Sequence, residues 1–339
     1  QPGARVTVRR VELSVDGPPN GLEAVRRAVD AFGPRSGEPL EHQRYEAGKA
    51  RINESLQASG FFDAEMPRHR VEVTRAARAA DIDLAWRSGE RYRFGDVGFS
   101  ETPLDPAFVR RYVPWRADDW YEVDELLLLQ QRLVAADYFA TVSVQPQVAR
   151  REAGRVPVDV LLIPAKRTIY SAAAYVSTDS GPGGRVGIDR RWINDRGHKW
   201  GAELEYSTRL QSATTRYRVP RPGVRSRLFD FAAGYRDETT DTTRSRLARL
   251  SASEVLDRWH GYARTLGLQY LDGNFEVADE LRSSQLLFAE ALLQRKRSDA
   301  ASRWTTRCGS PPTGCCPTPR SPSCERTRAG CARRAGTPG

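Results

Sequence analysis

The sequence predicts a multidomain chain: two α+β modules of β-α-α-β-β order, then about eight strands of an incomplete antiparallel transmembrane β-barrel, then a disordered tail. Three observations carry this. A set of elements recurs at a fixed offset within residues 1–167. Beyond Arg167 the apolar pattern changes from helical spacing to strand alternation. From residue 300 onward, Leu, Ile, Val, Met and Phe vanish altogether.

The first module opens on a strand-like segment, Arg5–Val15. Leu22, Val25, Val29 and Phe32 then recur at helical spacing after Asn20, an expected N-cap. Tyr45, Ile52 and Leu56 mark a second helix, stopped by Gly60. Two strands follow, Asp63–Thr74 and Ala80–Arg87. The second module repeats the order. Tyr92–Ser100 is its first strand, and Asp105-Pro106 starts a helix with a cap and a Pro at the first position. Leu126, Leu129 and Leu133 line the next helix, and Ala140–Arg150 and Arg155–Ile163 are strands. Leu56–Phe62 aligns with Leu133–Phe139 at an offset of 77 residues, which means tandem domains able to stand alone. The aromatic pairs Phe61-Phe62 and Tyr138-Phe139 each follow a helix and enter a strand, where they fill the core between the two. A three-stranded sheet with helices on one face leaves an exposed edge, which can take up an extended chain through main-chain hydrogen bonds.

Residues 168–298 read as strands of about ten residues separated by turns. They are Thr168–Ser177, Arg185–Ile193, Trp200–Arg209, Ala213–Val219, Arg227–Arg236, Thr243–Glu254, Gly261–Leu271 and Ser284–Gln294, with 179–184 as a loop and 194–197 as a tight turn. Trp200, Ala202, Leu204 and Tyr206 share one face of the third strand; Glu203, Glu205, Ser207 and Arg209 share the other. Aromatic residues at both ends of the apolar face match the girdles of membrane interfaces. In the eighth strand, Leu287, Ala289, Ala291 and Leu293 oppose Glu290 and Gln294.

Composition narrows the function. The net charge is +10, but residues 300–339 supply +6 of it, which argues against nucleic acid as a partner. The four His are scattered without metal-ligand spacing, and no phosphate loop, HExxH or GxSxG element occurs. Glu203 and Glu205 are explained as charged lumen residues rather than a catalytic pair. No enzyme activity and no cofactor is expected. No stretch reaches the ~18 apolar residues of a membrane helix. The chain starts at Gln1, without Met and without a visible signal peptide. Cys308, Cys315, Cys316, Cys324 and Cys331 all lie in the tail, in spacings that fit no CxxC pair set. Arg outnumbers Lys by 49 to 4, as in a GC-rich gene, and the tail reads as out-of-frame sequence.

Several short motifs go further. They are Gly60-Phe61-Phe62-Asp63, the run Ser88–Gly95, and Ser177-Thr178-Asp179-Ser180-Gly181-Pro182. Trp192-Ile193-Asn194 with Arg196-Gly197-His198 joins them. On these residues the chain resembles the TamA family, outer-membrane subunits of the translocation and assembly module, within the BamA-like superfamily of barrels with periplasmic POTRA domains. The likeness spans residues 1–298. The family has three POTRA domains and sixteen strands. The resemblance therefore implies a second-like POTRA domain at 1–90 and a third-like, membrane-proximal one at 91–167. It makes 168–298 the N-terminal half of a barrel, while composition alone makes 299–339 a disordered tail. Before Ser177 the family usually shows Gly-x-Gly-Tyr, where this chain has Ala173-Ala174-Tyr175-Val176.

The implied function is assembly or translocation of client outer-membrane proteins, autotransporters especially, in outer-membrane lipid with a TamB-like periplasmic partner and no cofactor. The implied seam strand carries Thr168, Ile169, Tyr170, Ala172, Ala174 and Val176. The implied POTRA edge carries Val142, Val144 and Val148, and the motif loop Ser177, Thr178, Asp179, Gly181 and Pro182. A two-partner secretion pore, or a barrel-linked enzyme with its catalytic domain outside this sequence, are the alternatives.

Overall fold

The structure is a computed structural model. It describes residues 5–178, 181–223, 227–240, 243–259, 262–277 and 280–295. The expected tail lies outside these residues, as does Asp179 of the motif loop.

The first module runs β1 (Thr7–Asp16), α1 (Glu23–Asp30), α2 (His42–Ala58), β2 (Glu65–Thr74) and β3 (Ala79–Arg87). Its sheet order is β1-β3-β2, with β1 parallel and β2 antiparallel to β3. The period-two pattern of β3 sets the core. Ala80, Ile82, Leu84 and Trp86 are buried, and the last three cluster with Val25, Ile52, Leu56 and Phe61. The Trp86 indole donates to Asn53 Oδ1 at 2.7 Å, so burial leaves its N–H satisfied. Asn20 is not the cap of α1. Pro18 and Pro19 draw 18–21 into a 3-10 turn, and Leu22 takes the N-cap position without a side-chain bond.

The second module repeats the plan with β4 (Arg93–Phe99), α3 (Pro106–Arg110), α4 (Val123–Ala135), β5 (Phe139–Pro146) and β6 (Arg155–Pro164), in sheet order β4-β6-β5. Asp105 caps α3 as expected, its carboxylate accepting from the Ala107 N–H at 2.8 Å. Val156, Val158, Val160 and Leu162 of β6 face Leu126, Leu129 and Leu133 of α4 in the core. Strand β5 ends earlier than expected. Pro146 removes a ladder donor, and Val148 falls in a short 3-10 turn beyond the strand.

Eight further strands form one antiparallel sheet in chain order. They are β7 (Thr168–Ser177), β8 (Gly181–Arg190), β9 (Lys199–Ser207), β10 (Leu210–Arg221), β11 (Arg227–Thr239), β12 (Thr243–Trp259), β13 (Tyr262–Val277) and β14 (Glu280–Gln294). One correction concerns β8. Gly181–Gly184, expected as loop, pair in register with Ser177–Ala174 and extend the strand. Pro182 is tolerated as the second residue of the strand, where a missing donor costs little. The twelfth strand, weakly alternating in sequence, is long and laddered on both sides as far as Leu256, with a register shift toward β13 beyond it.

The two faces of this sheet differ. One is apolar and uncovered: Leu204, Tyr206, Leu268 and Leu287 stay 56, 67, 57 and 74% exposed. The other carries cross-strand polar contacts such as Arg249–Gln269–Glu290 and Arg216–Asp230. Strand β14 departs from the rule. Leu286, Phe288 and Leu292 make its second face apolar too.

The apolar band does not follow the hydrogen-bonded rows. The ladder ties Ala173, mid-band on β7, to Ser284 on β14, yet the band on β14 is Leu287–Leu293. Its middle lies six residues further along, at Glu290. Six residues at ~3.3 Å across seven strand spacings of ~4.8 Å corresponds to a strand tilt of roughly 30°.

Candidate functional site

Three features bear on function: a wedged turn, a pinned first strand and open sheet edges.

The turn between β8 and β9, residues 191–198, enters the second module. Trp192 is buried within that module's own core cluster. Gly197 has φ 70°, and a Cβ there would lie 2.6 Å from Phe108 and 2.8 Å from the Tyr138 hydroxyl. Tyr138 Oη donates to the Gly197 carbonyl at 2.6 Å. Burial holds the Tyr138 phenol well above its ordinary pKa, so it remains a donor. The Asp105 N–H donates to the Asp195 carbonyl at 2.9 Å. Arg167 spans to the Trp192 and Ile193 carbonyls at 3.0 and 2.7 Å, and Arg191 meets Asp137 at 3.1 Å. Trp192, Ile193 and Gly197 of the Trp-Ile-Asn…Arg-Gly-His motif thus sit in one joint between module and sheet.

A second joint connects the modules. Tyr92 N–H donates to the Gly60 carbonyl at 2.9 Å, and the Asp63 carboxylate accepts from Tyr92 Oη at 2.7 Å and Arg151 at 2.6 Å. Phe61 is fully buried in the first core. Phe62 is not a filler of that core. It packs edge-on against Tyr92 and Tyr121 and joins the second module's cluster.

Strand β7 lies at one end of the sheet order and pairs only with β8 among the described residues. Thr168 to Val176 therefore present one unpaired main-chain edge. On the polar face, Tyr175 is opposite Gly183, and a Cβ on Gly183 would lie 2.8 Å from the phenol. The missing side chain lets Tyr175 cross β8 and donate to Glu205 on β9 at 2.8 Å. Arg185 completes the clamp, 3.1 Å from Glu205 and 3.6 Å from Glu203. The sequence alone hides this set, because Gly183 reads as part of a loop. The available signal was Tyr175, which breaks the apolar run from Tyr170 to Val176 on the opposite parity.

Among the described residues, strand β14 is the other end of the sheet. In the second module β5 is an edge. Val142 and Val144 turn toward the core, and the Val142 carbonyl accepts from Gln130 of α4 at 3.4 Å. Val148 lies in the 3-10 turn beyond the strand and packs against the same core. Ser177 closes β7, while Gly181 and Pro182 open β8 rather than forming a loop.

No family model matches the sequence. Among solved structures, BamA from Haemophilus ducreyi lacking POTRA domains 1–3 superposes with a TM-score of 0.65 at 12% identity, covering 85% of this chain and 58% of that one. The chain shares its fold with BamA. The two small sheets with their helices are POTRA-like, and the eight-stranded sheet is a partial barrel of the BamA type. CdiB from Acinetobacter baumannii matches at TM-score 0.46 and 13% identity, covering 86% of this chain and 58% of that one. POTRA domains 3–5 of Haemophilus influenzae BamA match at 0.36 and 17%, covering 48% and 62%. The chain thus spans 58% of the length of the first BamA chain it matches. No helix among the described residues is long and apolar enough to cross a membrane.

Proposed function

We propose that this chain belongs to an outer-membrane protein assembly or translocation factor of the BamA-like kind, acting without catalysis. The observation that carries this is the unpaired edge of β7, at the end of a sheet whose apolar face is uncovered. A band drifting against the ladder suits strands tilted in a planar bilayer. In lipid, a free strand edge costs several kcal/mol per unpaired group. An incoming strand that pairs there relieves this cost, and its own pairing and apolar burial supply the drive. The POTRA-like modules would stand in the periplasm, with β5 holding extended segments by main-chain bonds. Within this reading the TamA role is the finer proposal, with autotransporters as clients and a TamB-like partner.

A photo-crosslinking residue at Ala172 or Ala174 of β7 tests it in outer membranes. The expected result is cross-links to an unfolded outer-membrane client, and none from Ala202 in mid-sheet. Equal cross-linking at Ala202, or none at β7, overturns the reading.

A further inference from the structure

We propose that the rim of the sheet nearest the modules seats the phosphate of an anionic phospholipid from the adjoining leaflet. This rests on the membrane-spanning reading above. On the apolar face, the first residue past the band is Arg on three of four neighbouring strands: Arg221 after Val219, Arg227 before Phe229, Arg264 before Leu266. The ladder sets them in one row. Arg221 is opposite Arg227, Arg227 opposite Leu256, and Leu256 opposite Arg264.

Directly opposed like charges destabilise a sheet unless something neutralises them. Glu254 does so in part, 3.6 Å from Arg227 and 3.1 Å from Arg264. At the Arg221–Arg227 pair, two directly opposed guanidiniums share the flank of the single Glu254 carboxylate, which leaves positive charge at the level of the headgroups. The opposite rim is built differently. Its first residues past the band include Gln211, Asp237, Arg246 and Asp272, with Arg246 paired to Asp237 at 3.1 Å. Among the described residues, directly opposed arginines on this face occur at the module-side rim and not at the other. Guanidinium forks match the two free oxygens of a phosphodiester, and their stems lie along the acyl boundary. Tyr217, Phe229 and Phe231, on the same face toward the membrane centre, would flank the chains of the bound lipid.

The test places the whole chain in phosphatidylethanolamine nanodiscs and measures the association of spin-labelled phosphatidylglycerol against spin-labelled phosphatidylethanolamine. Selection for phosphatidylglycerol is expected, falling about fivefold per arginine in Arg221→Gln with Arg227→Gln. It should persist in Arg246→Gln at the other rim, and fall less in Arg221→Lys with Arg227→Lys, which keeps the charge without the fork, than in the double Gln variant. Unchanged selectivity in the double Gln variant overturns the proposal. So does displacement of the lipid by millimolar inorganic phosphate, which would mark a free-anion site. Arg221→Gln alone, at an exposed strand end, decides the matter if the double variant does not insert. A wild-type chain that stays out of the bilayer instead sinks the membrane-spanning reading beneath.

Discussion

Single residues at the joint between sheet and second module set its rigidity. Gly197 meets Phe108 and Tyr138 where a Cβ would stand, and its φ is positive. Gly197→Ala should cost about 2–4 kcal/mol from overpacking and left-handed strain, read as a lower denaturant midpoint. Gly154 offers the control, since nothing lies near its Cβ position and only the strain contributes. His198 adds a pH dependence. Burial first, then Arg221 and Arg196, lower its pKa, so the fold favours the neutral ring beside the Tyr217 hydroxyl 2.7 Å away. The unfolded chain binds the proton more readily. His198 therefore contributes stability that is complete above the ordinary value near 6.5 and is lost as pH falls through the depressed one. Stability should decline on acidification below about pH 6.5, and less in His198→Gln, in paired denaturation curves. The motif containing both residues is legible in the sequence as one of those that carry the family resemblance. Its physical cause is not, because the partners Phe108 and Tyr138 lie far upstream in the chain.

Among the elements, periodicity located most strands and helices, and β7 matches the expected Thr168–Ser177. Failures came where one local signal outweighed its surroundings. Gly181–Gly184 looks like a turn in isolation, but the ladder with β7 holds it extended and the bare faces admit Tyr175. Val148 reads as the continuation of β5, yet the pairing with β6 ends at the Gln147 N–H and the chain turns into a 3-10 helix. Phe62 was assigned to its own module because sequence neighbours give no hint of the next module's surface. The two modules were also expected to stand alone, and the second is not closed without help from the sheet. Trp192, contributed by the β8–β9 turn, belongs to its core. Trp192→Ala should destabilise the second module by about 3–5 kcal/mol while sparing the first. Hydrogen exchange resolves this: amides of α4 and β6 should lose protection, and those of α2 and β3 should keep it. Equal loss in both would show that the modules unfold as one unit.

At the scale of the whole molecule, the sheet's two faces define what surrounds it. Leu204 lies on the uncovered face and Glu205 on the face of the Tyr175 clamp. Leu204→Arg should cost about 2–4 kcal/mol in bilayer-embedded protein. Glu205→Gln should cost less, since the Tyr175 hydroxyl keeps an acceptor. Urea unfolding from vesicles measures both, and equal tolerance at the two positions would refute the assignment of faces. One consequence follows from the strand count alone. Eight successive antiparallel strands leave β7 and β14 running in opposite directions. Whatever bridges the two free edges while keeping every neighbour antiparallel must bring an even number of strands. A lone strand would force one parallel pairing; a hairpin would not. Parity thus becomes a criterion for whatever completes the sheet between β14 and β7.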